Sequence, residues 1–236
     1  MPSRNEGILM LIILAVICFG VYGASLPNNF VTLDDGLLIY ENPIIKSAVS
    51  LNTIKRMFTS YDPELYIPLT FLTFKIEYAL FGLDSTYYHL TNLLLHIGNA
   101  FLVYVLFFQL TSRRALAIAV SLLFALHPVN VEAVAWAAGR KDVLSSFFAL
   151  LSVVMYLRYR TVVNRKTYYA SILFFALSLM AKVSVILLPV GLLIIDWREK
   201  RPWKLHVFLE KIPYFALSAA FGIIALFGKT QALEDT

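Results

Sequence analysis

Apolar positions in this chain fall into long unbroken runs rather than the spaced stripes of a surface helix. Gly7–Leu26 is almost wholly apolar, and Tyr87–Leu110, Ala115–Leu126, Val131–Leu157, Tyr168–Ala181, Val183–Trp197 and Pro213–Gly228 follow. A hydrocarbon core of roughly 30 Å takes about 20 helical residues, and backbone groups in lipid must be bonded internally, so these runs predict membrane helices. Val131–Leu157 reads as one long helical stretch interrupted at Gly139-Arg140-Lys141-Asp142, and the two spans after it meet at Lys182. The fold class expected is all-α, a polytopic transmembrane bundle of about seven spans forming a single module over residues 1–236. Within the polar segment 27–86, Leu51–Phe58 has the pattern of a short interfacial helix. Pro68–Phe81 is apolar but short, carries Lys75 and Glu77, and is ended by Gly82, so it reads as interfacial or re-entrant.

Charge decides the sidedness. The first apolar run exceeds a signal core of about 7–15 residues, so it reads as a retained helix with a cytoplasmic N-terminus. If Pro68–Phe81 does not cross, twelve of the 20 Lys and Arg residues fall inside, in loops such as Arg158–Lys166 and Arg198–Lys211. If it crosses, those loops land outside, against the positive-inside rule. The inner loops then hold mostly surplus basic residues, and the unusual polar residues, Glu64 among them, collect outside. Composition agrees: 59% of the 236 residues are hydrophobic and 15% charged, against roughly half and a quarter in soluble domains. A net charge of +5 spread through loops reads as topology, not nucleic-acid binding. The single cysteine, Cys18, excludes an intrachain disulfide.

Candidate chemistry lies on the outer side. Asp34 and Asp35 follow the anchoring helix, where a carboxylate against apolar surface suits general-base or cation-binding work; a plain acidic turn is the ordinary alternative. Arg140, Lys141 and Lys182 suit an anionic group such as a phosphate; the alternative is snorkelling, with Arg140 paired locally to Asp142. His89, Asn92, His96 and Asn99 are spaced three, four and three residues, one polar stripe on a membrane helix, read first as interhelical hydrogen bonding. His127 and Glu132 lack tight metal-ligand spacing. Ala115–Leu126 spans about 18 Å, which sinks His127-Pro128 below the outer surface and predicts, with Lys182, a polar cavity opening outward.

Several runs carry a resemblance: Phe30-Val31-Thr32-Leu33-Asp34-Asp35-Gly36, Tyr88-His89-Leu90-Thr91-Asn92-Leu93-Leu94-Leu95-His96, His127-Pro128-Val129-Asn130-Val131-Glu132-Ala133-Val134, Gly139-Arg140-Lys141-Asp142 and Ala181-Lys182. The chain resembles the membrane part of the tetratricopeptide-repeat-containing O-mannosyltransferase-like proteins, members of the GT-C glycosyltransferases. The resemblance implies transfer of a sugar from a polyprenyl-phosphate carrier to an acceptor protein or glycan on the extracytoplasmic side, in a bacterial plasma membrane or the endoplasmic reticulum. It assigns catalysis to Asp34 or Asp35, donor phosphate binding to Arg140, Lys141 and Lys182, and the pocket to His89, His127 and Glu132. A divalent cation, Mg2+ or Mn2+, stays open as a cofactor. The family continues into further helices and often repeats, which opens the alternative of a non-catalytic subunit or fragment assembling with a partner chain that supplies them. A transporter is the weaker third class, since no paired internal repeat is visible.

Overall fold

A computed structural model describes residues 3–59, 61, 66–202 and 204–234, with side chains to residue 228. Glu64, Trp203 and the end of the tail lie outside the described residues. The helices are α1 (Arg4–Tyr22), α2 (Pro43–Lys46), α3 (Leu51–Thr59), α4 (Pro68–Phe81), α5 (Ser85–Thr111), α6 (Arg114–Leu126), α7 (Val131–Ala135), α8 (Arg140–Val162), α9 (Arg165–Ala181), α10 (Leu188–Arg198), α11 (Leu205–Leu209) and α12 (Ile212–Glu234). No strand occurs among the described residues.

The helix ends follow local chemistry. A capping box starts α1: Ser3 Oγ accepts from the Glu6 amide and the Ser3 amide donates to Glu6 Oε2. This satisfies orphan donors and starts the helix three residues before the apolar run. Gly82, at φ +64°, ends α4, and Asp84 caps α5 by accepting from the Thr86 amide at 3.0 Å. Ser112 in the left-handed region closes α5.

One expectation is corrected. The stretch Val131–Leu157 is not one helix: α7 ends at Ala135, Trp136 is extended, and a 3-10 turn over Ala137–Gly139 leads into α8. Gly139 permits the fold-back, because a Cβ there would stand 2.6 Å from the Ala133 carbonyl oxygen. Helix length and composition account for four or five of the roughly seven spans expected. Among the described residues four stretches are long and apolar enough to cross: Arg4–Ser25, Ser85–Thr111, Ala137–Val162 and Leu205–Gly228. A fifth forms if α6 and the Pro128–Ala135 segment, bent by 49° at His127, act as one broken span. The break at Lys182 leaves α9 only 17 residues, about 25 Å, and a 3-10 turn over Val183–Leu187 then shortens α10 to 11.

Contacts sort the helix ends into two faces. At the loop face, Tyr22 Oη donates to the Ala125 carbonyl at 3.2 Å, Ser85 Oγ to the Asn28 carbonyl at 2.8 Å, and Thr70 Oγ1 to the Ala181 carbonyl at 3.0 Å. At the opposite face Arg114 pairs with Glu6, Arg160 with Glu199 and Lys211 with Asp196. Helix α4 stays on the loop face: Thr70, near its start, meets the end of α9, and Glu77, near its end, meets the start of α8.

Helices α8 and α9 are joined by a serine ladder. Ser145 and Ser178 exchange hydroxyl-to-carbonyl hydrogen bonds of 3.1 and 2.7 Å, and seven residues along each helix Ser152 and Ser171 do the same at 2.8 and 2.6 Å. Small residues let the two backbones approach, and each buried hydroxyl finds a carbonyl.

Candidate functional site

The loop after α1 presents its two carboxylates differently. Asp35 is fully buried, with Oδ2 accepting from the Val31 amide at 2.8 Å and Oδ1 from the Ala138 amide at 2.7 Å. It thereby ties the loop to the turn before α8. Burial pushes the Asp35 carboxyl above the usual carboxylate range, outweighing the two amides that favour its ionised form. Asp34 is half-exposed and pairs with Lys141 Nζ at 2.8 Å. The Lys141 ammonium also stands 5.3 Å from the centroid of the Trp136 ring.

These groups line a cavity of about 570 Å³. Its walls include Asp34, Glu132, Lys141, Asp142 and Lys182, and further lining comes from His96, Asn99, Phe124 and Val143. Lys182 pairs with Asp142 at 2.5 Å. The rim therefore alternates lysine and carboxylate, each lysine holding one acid.

The structure brings Asp34, Lys141, Lys182 and Glu132 together on this cavity, with Asp35 behind it. Arg140, His89 and His127 do not line it. Arg140 is fully buried and serves the bundle: it pairs with Glu77 at 2.9 Å and donates to the Tyr88 carbonyl at 2.9 Å, to Asn92 Oδ1 at 2.5 Å and to Thr73 Oγ1 at 3.2 Å. Its guanidinium lies 5.3 Å from the Phe74 ring centroid. Glu77, not Asp142, is its partner, because α4 crosses the loop face directly over the start of α8. His89 is buried, and the Asn28 carbonyl near it does not complete a hydrogen bond to either ring nitrogen. His127 caps the turn that follows α6, its Nδ1 accepting from the Val129 amide at 3.2 Å. Among the described residues no three His, Cys, Asp or Glu side chains stand close enough to hold a metal ion.

Sequence reasoning missed a second cluster, at the opposite face. Asp196, buried, accepts from Tyr156 Oη at 2.7 Å and pairs with Lys211, Arg160 and Arg201. Arg201 forks onto Glu210 at 2.6 and 2.9 Å, and Glu199 takes Arg160. The loops read as surplus basic charge are thus partly neutralised by Asp196, Glu199 and Glu210. Only an aspartate at the end of an apolar run hinted at this.

Over 146 residues the chain is 36% identical to the protein O-mannosyl-transferase TMTC1 of Homo sapiens, covering 58% of this chain and 16% of that one. Over 170 residues it is 31% identical to the protein O-mannosyl-transferase F38B6.6 of Caenorhabditis elegans, covering 68% and 24%. Human TMTC4 is 34% identical over 163 residues, covering 60% and 22%. The chain is a homologue of the protein O-mannosyl-transferases. The matched stretch spans less than a quarter of the length of these relatives. No family model and no solved structure matches the chain. The homology gives the cavity on the loop face a chemical context that its shape alone lacks.

Proposed function

We propose that the chain is the catalytic membrane module of a GT-C-type glycosyltransferase that moves a hexose from a polyprenyl-phosphate carrier to a hydroxyl of a protein or glycan on the extracytoplasmic side. The observation that carries this reading is the Asp34 carboxylate sharing a cavity with two lysines, Lys141 and Lys182. The homologues' names supply the transfer; the cavity supplies residues suited to it.

Asp34 takes the proton of the acceptor hydroxyl as its oxygen attacks the anomeric carbon. The bond from that carbon to the phosphate oxygen breaks, and the electron pair leaves with the phosphate. Lys141 and Lys182 stabilise the added negative charge on the phosphate. In the free protein Lys141 is held by Asp34; when it turns to the carrier phosphate, the carboxylate oxygen is released for the acceptor. Asp35 never touches the reactants. It positions Asp34 by pinning the loop to the Ala138 amide.

The test is transfer of labelled hexose by membranes carrying Asp34→Asn. Loss of a positioned general base costs about 10²–10⁴-fold, with insertion and detergent elution profile preserved. A rate equal to wild type would sink the assignment and leave the non-catalytic subunit.

A further inference from the structure

The polar stripe on α5 is used unevenly. Asn92 is satisfied on both sides: its Nδ2 donates to the Trp136 carbonyl at 2.7 Å and its Oδ1 accepts from Arg140. His96 places Nε2 3.0 Å from the Ala125 carbonyl. A carbonyl only accepts, so the proton sits on Nε2 and Nδ1 is an acceptor. Asn99 donates from Nδ2 to the Val143 carbonyl at 2.9 Å, which fixes its orientation by the same logic. Its Oδ1 has no partner among the described residues, although the side chain is 1% exposed.

Both His96 and Asn99 line the cavity that holds Asp34, and their three-residue spacing puts them on one face of α5. Asn99 lies 14 residues into the helix, about 21 Å from its start. At that depth an unmet acceptor is costly unless something occupies the cavity beside it. The two ends of the cavity ask for different chemistry. The rim offers ammonium groups, which suit an anion. Further lining comes from Asn99, whose buried Oδ1 is unmet, and His96, whose Nδ1 can only accept, and both suit a group that donates. An ionised phosphate donates nothing, and a pyranose carries several hydroxyls.

We propose that Asn99 and His96 form the sugar-reading end of the cavity, Asn99 Oδ1 and His96 Nδ1 accepting from hydroxyls of the hexose while Lys141 and Lys182 hold the carrier phosphate. This rests on the donor reading above and adds how the site tells a loaded carrier from an unloaded one. Transfer breaks the link between the two ends, so the unloaded carrier keeps only its rim contacts and is released.

The experiment uses the full chain in lipid nanodiscs and measures binding of three probes: short-chain polyprenyl-phosphate mannose, analogues of it each lacking one ring hydroxyl, and bare polyprenyl phosphate. Loaded carrier is expected to bind about ten- to hundred-fold more tightly than bare carrier, and at least one deoxy analogue to lose about ten-fold or more, because it leaves a buried acceptor unmet. Asn99→Leu should bring loaded and bare carrier to equal affinity without weakening bare carrier. That variant also loses the Val143 contact, so the deoxy series on the unaltered protein is the deciding measurement. Equal binding of every deoxy analogue and the parent overturns the proposal and leaves the donor reading standing. Binding of neither loaded nor bare carrier overturns both.

Discussion

Adjacent residues of the same type have separate roles here, and the separation is made by burial. Asp34 and Asp35 share a motif, yet one faces a cavity and the other is sealed behind it. Asp35→Asn turns an amide nitrogen toward a backbone N–H, so it should cost about 1–3 kcal/mol of stability, read as a lowered melting temperature in detergent. Because burial raises the Asp35 carboxyl in the folded state, the folded protein holds that proton more tightly than the unfolded chain. The stability this contributes is present at low pH and lost as pH rises through the elevated value. The advantage of wild type over Asp35→Asn should therefore shrink with rising pH; an advantage growing with pH would refute the burial argument. Arg140 is the opposite case, a predicted ligand consumed by structure. Glu77→Gln leaves its guanidinium buried without a counter-charge and should cost about 3–5 kcal/mol, seen as loss of folded protein. Lys55→Gln on the exposed face of α3 should show no such loss.

At the scale of elements, two close approaches build the site. The α7–α8 turn brings Ala138 to Asp35 and Lys141 to Asp34, and it exists because Gly139 leaves room for the Ala133 carbonyl. Gly139→Ala should lower both stability and transfer, whereas Gly20→Ala, with nothing within 4 Å of the added methyl, should leave both near wild type. The α8–α9 ladder holds Lys182 beside Asp142 at the rim. Ser152→Leu overfills the tight contact and should cost about 1–3 kcal/mol, while Ser152→Ala should cost nearer 0.6 kcal/mol, the usual worth of a hydrogen bond between membrane helices. A comparison of melting temperatures separates the two.

For the whole molecule, the helix ends divide into a loop face with the cavity and an opposite face with the Asp196 cluster. The positive-inside rule predicts that the loop face is extracytoplasmic. A single cysteine replacing the exposed Val49, in a chain with Cys18→Ser, should react with a membrane-impermeant maleimide from outside in intact cells. A cysteine at Lys200 should react only after permeabilisation. The reverse pattern would invert the orientation and exclude extracytoplasmic transfer at this cavity.

Long-period features were legible in the sequence because they depend on transfer free energy summed over many residues. The helical class, the long helix Ser85–Thr111, the short helix Leu51–Thr59, the end of α4 at Gly82 and the break at Lys182 all follow from apolar runs and their interruptions. Charge counting and helix length put Asp34, Lys141 and Lys182 on one side with a polar cavity, and the resemblance gave them roles in one site. What the tertiary structure decided is who meets whom. Nothing in the spacing distinguishes Arg140 from Lys141, yet α4 laid across the loop face buries the first against Glu77 and leaves the second at the cavity. The physical reason is that hydropathy is a property of a segment. The fate of a charge, a carboxamide or a serine hydroxyl depends on which other helix lies within 3 Å of it, and that is set by residues far away in the chain.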